Sequence, residues 1–140
     1  MKTILSIDDE RDMEILLKLN FDKQINSGTY AFVFAHNGKE ALNLLDQGKK
    51  FDLIITDLNM PEMNGIEFLT ELHLRVAEDK QFKIIVISAY NDMDNIRQAM
   101  NCGAWDFITK PINLSDLEET IQRAFKPRNG DWKGMPDAIF

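Results

Sequence analysis

Apolar positions along this chain keep two rhythms in alternation. Five short runs, rich in β-branched residues, have strand length: residues 3–7, Tyr30 to Ala35, Phe51 to Thr56, Lys83 to Ile87, and Trp105 to Thr109. Each stops at a polar or turn-forming position. Between them the apolar residues fall at helical spacing. The first helix is expected over roughly 11–25, with Ile15, Leu16 and Leu19 inward. The second runs from the cap Asn37 to about Leu45, with Ala41, Leu44 and Leu45 inward. The third spans about Gly65–Ala77 through Ile66, Leu69, Leu72 and Val76, and the fourth about Asp92–Asn101 through Met93, Ile96 and Met100. The fifth spans about Leu114–Phe125, with Leu114, Leu117, Ile121, Ala124 and Phe125 on one stripe. Three helix starts repeat one device: Asn37 with Glu40, Asn91 with Asp94, and Asn113 with Asp116. In each, the Asn can accept from orphan backbone donors, and the acid three residues on suits the positive helix end. Strongly apolar strands alternating with capped helices predict an α/β domain whose parallel sheet is covered on both faces.

The periodicity breaks after Lys126. Residues 127–140 are rich in breakers and read as a tail or linker, leaving one domain over residues 1–126. The full 140 residues suffice for a single sizeable core. The net charge of −7 disfavours a nucleic-acid footprint or an anionic membrane surface. No apolar stretch approaches a membrane span, and the N-terminus turns acidic too early for a signal peptide. Cys102 has no second cysteine to pair with and reads as a half-buried helix residue. A cytoplasmic setting is the expectation. His36 and His73 lack metal-ligand spacing, and Met60, Met63 and Trp105 read as packing residues.

The chemistry gathers where the strands stop. Asp8 and Asp9 follow the first run, Asp57 the third, Ser88 the fourth and Lys110 the fifth. Parallel strands put their carboxyl ends on one edge, the edge where open α/β sheets bind ligands. Three carboxylates crowded there repel, and one lysine cannot neutralise them, so at least one pKa should rise. A divalent cation resolves the conflict. The donors are all hard oxygens, which suits Mg²⁺ (or Mn²⁺) and not zinc. That combination points to phosphoryl transfer with a carboxylate nucleophile. Asp57 is the best candidate, because the adjacent Asp8 and Asp9 suit metal binding. Mg²⁺, Lys110 and Ser88 would each hold one phosphoryl oxygen. A cis Lys110-Pro111 bond would bend the loop and aim the ammonium inward.

These residues carry a family resemblance. IDDE at 7–10, TDLNMPEMNG at 56–65, ISAY at 87–90 and GAWDFITKP at 103–111 occur in the order found in response-regulator receiver domains of two-component signalling. The resemblance covers about residues 2–125. It implies a flavodoxin-like doubly wound (βα)5 fold with strand order 2-1-3-4-5, an order for which a chemotaxis receiver is itself a standard example. It implies that Asp57 accepts phosphate from a histidine kinase or a histidine phosphotransfer protein. By motif position, Asp9 and Asp57 would bind Mg²⁺ through side chains, Asn59 through its backbone carbonyl, and Asp8 through water. Ser88 and Phe107 take the two switch positions. A phosphoryl group adds only about −0.5 to −1 net charge once the charge of Asp57 itself is subtracted. New acceptor positions, not bulk charge, must then drive the change. The implied readout is the face of the fourth helix, fifth strand and fifth helix, with Met93, Arg97, Met100, Trp105 and Glu118 as candidate surface. It would serve an output partner or a fused effector domain. Such a domain turns over no external substrate. The rival reading is a Mg²⁺-dependent phosphohydrolase with an Asp nucleophile, which typically needs an acid/base where this chain has Asn59. A nucleotide-binding module ranks last, since no glycine-rich loop follows the first strand.

Overall fold

A computed structural model describes residues 1–60, 63–75, 82–89 and 91–126. Five strands, β1 (Lys2–Ile7), β2 (Tyr30–Ala35), β3 (Leu53–Asp57), β4 (Lys83–Ala89) and β5 (Asp106–Lys110), form one sheet. All pairings are parallel, in the order β2-β1-β3-β4-β5. The helices are α1 (Arg11–Asn20), α2 (Asp22–Asn26), α3 (Gly38–Asp46), α4 (Gly65–Arg75), α5 (Met93–Asn101) and α6 (Leu114–Ala124). The α/β class and strand order are those expected. Residues 127–140 and Val76 lie outside the described residues.

Side-chain alternation along the strands feeds two cores. Leu5, Ile7, Ile54, Ile84 and Val86 face one side, where α3, α4 and α5 supply Leu42, Phe68, Leu69, Leu72 and Ile96. Ile4, Leu53, Ile55, Ile85, Ile87 and Ile108 face the other, against Met13, Leu17, Phe21, Leu117 and Ile121. Each large aliphatic side chain removed from water contributes about 1.5–3 kcal/mol, so these central strands are the least negotiable part of the fold.

One expected helix is built differently. The segment 11–25 divides at Phe21, which is fully buried and leaves helical geometry at φ −105°, ψ 23°. Its ring packs on Tyr30 and Phe32 at centroid distances of 5.9 and 5.5 Å. The inward stripe of α1 is therefore Met13 and Leu17, continuing to Phe21. Ile15, Leu16 and Leu19, expected inside, are 54%, 42% and 72% exposed. Because of the extra short helix, the face expected from the fourth and fifth helices is made by α5, β5 and α6.

The amino ends of the strands hold the end of α6. Lys83, opening β4, donates to the Ala124 carbonyl at 3.1 Å. The Lys2 ammonium of β1 lies 5.6 Å from the centre of the Phe125 ring.

Candidate functional site

Register alone gathers the expected residues. Ile7 pairs with Thr56, so Asp8 and Asp57 leave neighbouring strands side by side. Asp57 pairs with Ile87, one residue before Ser88, and Ala89 pairs with Lys110. Four strand ends thus meet at one rim. Carboxylate oxygens of Asp8, Asp9 and Asp57 lie within 4.8 Å of one another.

Asp57 is 1% exposed, and both its oxygens are engaged. Oδ1 accepts from the Asn59 backbone N–H at 2.9 Å, and Oδ2 accepts from Lys110 Nζ at 2.7 Å. The Lys110-Pro111 peptide is cis. Burial opposes the Lys110 charge, but the hydrogen bond and attraction to Asp57 outweigh it, leaving the ammonium pKa above its ordinary value. Asp8 moves up to about 6. Burial is the main cause; the Glu10 N–H, donating to Oδ1 at 2.8 Å, works against it, and the Asp57 charge adds to it. The anticipated rise is present, but lost hydration drives it more than like-charge repulsion does.

The turn after β3 is held from behind. Gly65 N–H donates to the Leu58 carbonyl at 2.9 Å. A Cβ on Gly65 would stand 2.7 Å from the Leu58 Cα and 3.0 Å from the Asp57 carbonyl oxygen. Only glycine lets α4 start this close beneath the acidic residue.

Ser88 is fully buried. Its hydroxyl donates to Asp92 Oδ2 at 3.1 Å and accepts from Asn59 Nδ2 at 3.5 Å. Phe107 lies on β5 and is 37% exposed. Sequence reasoning overlooked Asp92, although an acid four residues after a strand-end hydroxyl was visible on the loop entering α5. Trp105 packs against the core beneath α6, with Lys83 Nζ at 4.9 Å and the Arg123 guanidinium at 5.6 Å from its ring centre. His36 stays half-buried beside Glu40 at 3.3 Å, and the His73 ring meets the Cys102 carbonyl.

Residues 4–122 match the response regulator receiver domain family. The chain belongs to that family. It is 34% identical over 125 residues to the chemotaxis protein CheY of Thermotoga maritima, covering 89% of this chain and 98% of that one. It is 33% identical over 132 residues to the response regulator protein PilR of Pseudomonas aeruginosa, covering 94% of this chain but only 28% of PilR. A response regulator receiver protein from Pseudomonas putida superposes with a TM-score of 0.73 at 28% identity, covering 87% and 96% of the two chains. The chain is accordingly a phospho-accepting receiver module of two-component signalling. Response regulators interact with histidine kinases and with output domains. Among the described residues no helix is long and apolar enough to cross a membrane. Nothing in the comparisons favours a phosphohydrolase, and the Asn59 amide has no acidic proton to give a leaving group.

The donor set fits the divalent ion that receivers generally bind. Asp8, Asp9 and Asp57 offer clustered carboxylate oxygen, which suits a hard cation.

Proposed function

We propose that Asp57 is the phospho-acceptor, supplied by a histidine kinase or a histidine phosphotransfer protein. The observation that carries this reading is the pairing of buried Asp57 with Lys110 at 2.7 Å inside a three-carboxylate cluster. A carboxylate oxygen of Asp57 attacks phosphorus. The bond from phosphorus to the donor's imidazole nitrogen breaks, and its electron pair leaves with the imidazole. Lys110 then moves from balancing a carboxylate to balancing a phosphoryl oxygen, and Ser88 donates to another. The Asn59 N–H keeps the carboxylate oriented through attack. Asp9 and Asp57 through side chains, Asn59 through its carbonyl, and Asp8 through water would hold Mg²⁺ (or Mn²⁺). When bound, the ion neutralises charge on the carboxylates and phosphoryl oxygens. Attack by water on phosphorus later returns Asp57 and inorganic phosphate, so the domain catalyses its own phosphorylation and its own reset.

Output follows from Ser88 and Phe107. As Ser88 turns to the phosphoryl group its loop moves, and the exposed Phe107 ring packs into the vacated space, biasing an existing two-state equilibrium. The face of α5, β5 and α6 offers Met93, Arg97, Met100 and Trp105 to an output partner or a fused effector; Glu118, expected there, instead turns to α1, where its carboxylate accepts from Asn20 Nδ2 at 3.5 Å. On the opposite flank, a groove of about 240 Å³ runs from Asp8 and Lys110 past Met13, Leu16 and Ile112. Its continuity with the acceptor pocket, and the apolar exposure of α1, suit it to a protein donor carrying phosphohistidine.

The decisive experiment is exposure to acetyl phosphate with Mg²⁺, read by intact mass. One added phosphate is expected, absent in Asp57→Asn and abolished by chelator. Labelling of Asp57→Asn at the wild-type level overturns the assignment.

A further inference from the structure

The carboxylate of Asp92 is not where a helix start normally puts it. Asp92 stands at the N-cap of α5 but makes no side-chain capping bond. Asn37, Asn64 and Asn113 each accept from the backbone N–H three residues on, at 2.8, 2.9 and 3.1 Å. Asp92 instead accepts from the Ser88 hydroxyl at 3.1 Å and from Asn95 Nδ2 at 2.9 and 3.0 Å. The first turn of α5 goes without its cap while this carboxylate holds a buried hydroxyl.

A serine hydroxyl carries a single hydrogen and donates once. A phosphoryl oxygen on Asp57 and the carboxylate of Asp92 therefore compete for one proton. We propose that Asp92 is a positioning residue that latches Ser88 in the resting state. When the phosphoryl group takes the hydroxyl, Asp92 is released to cap α5 through the Asn95 backbone N–H. This rests on Asp57 being the phospho-acceptor. Both acceptors are anions, so one charge-assisted bond replaces another, and the new cap adds to the phosphorylated side. The exchange re-sets the first turn of α5, which carries Met93. It gives the acceptor pocket a mechanical link to the α5 surface that is separate from Phe107.

The test uses beryllofluoride with Mg²⁺ as a non-hydrolysed phosphoryl group, titrated against tryptophan fluorescence in a Trp132→Phe background that leaves Trp105 as reporter. Asp92→Asn keeps a good capping oxygen but weakens the acceptor for Ser88. It should bind the probe roughly threefold to tenfold more tightly than wild type. Asp92→Ala loses latch and cap together and should fall between the two. Removing a nearby negative charge would also tighten an anion, so both substitutions are repeated with Ser88→Ala. A latch acts only through the hydroxyl, and its gain must vanish there; a general charge effect would survive. Thermal unfolding without the probe identifies any variant that fails to fold, and Asp92→Asn then decides alone. In wild type, the Asn95 amide should gain hydrogen-exchange protection on probe binding. The latch is overturned if Asp92→Asn binds no more tightly than wild type, or if its gain persists undiminished beside Ser88→Ala. Failure of wild type to take up either beryllofluoride or acetyl phosphate would instead overturn the acceptor assignment, and the latch with it.

Discussion

Asp8 sits where burial and a neighbouring charge push the same way, and its pKa of about 6 sets a direction for stability. Its folded value lies above the unfolded value of 3.8. As pH rises between the two, the unfolded chain releases this proton first, so the folded state loses stability across that window and the loss is complete above it. In chelator, Asp8→Asn should match wild type below pH 4 and exceed it above pH 6. The gain is up to about 2 kcal/mol, discounted for solvent on the open side of the pocket, and urea unfolding at several pH values reads it. Saturating Mg²⁺ should reverse the order, because the ion stabilises the ionised form that burial disfavours. Lys110 carries the complementary expectation. Lys110→Ala should slow labelling by acetyl phosphate on the order of 100-fold, the cost of removing one preorganised charge from an anionic transition state. A rate within a few-fold of wild type would remove Lys110 from the phosphoryl site.

The turn between β3 and α4 shows how local backbone chemistry fixes the proposed acceptor, Asp57. Gly65→Ala should cost about 1–3 kcal/mol, because the Leu58 backbone cannot retreat from a new methyl group. Asn64→Ala should cost about 1 kcal/mol through loss of a cap. Its side chain accepts from the Glu67 N–H while Glu67 accepts from the Asn64 N–H, at 2.9 and 3.0 Å. Thermal melts rank the two, and an equal or larger loss in Asn64→Ala would contradict the close-approach argument. That reciprocal box was hidden in the sequence by the turn residues around it, whereas the one-way caps at Asn37 and Asn113 were legible. At α5 the expected cap Asn91 gives way to Asp92 at the N-cap position, and tertiary contact with Ser88 leaves that carboxylate without a capping bond. The first helix misled for a similar reason. Met13 to Leu19 is apolar on two stripes, and only the packing of Phe21 on the Tyr30 and Phe32 rings of the next strand selects the inner one. Strand existence was readable from composition. The register that sets Asp8 beside Asp57 was not, since it depends on strand order, which family resemblance supplied.

The sheet as assembled separates two surfaces that flank one pocket. On the donor flank, Leu16→Glu should leave acetyl phosphate labelling unchanged and slow transfer from a phosphorylated histidine phosphotransfer protein by tenfold or so, as expected for a charge in an apolar contact. Parallel loss with both donors would place Leu16 in folding and not in docking. In the proposed switch, the other flank, α5 with β5 and α6, is reached through Ser88 and Phe107 without passing α1.

Lys2 and Lys83 clasp the close of α6 at the pole farthest from the acids. The described part of α6 ends there, about 15 Å down the strands from Asp57. In the proposed switch, a change at that rim reaches this clasp through the flank and along α6, which makes the helix a relay between the two poles of the sheet.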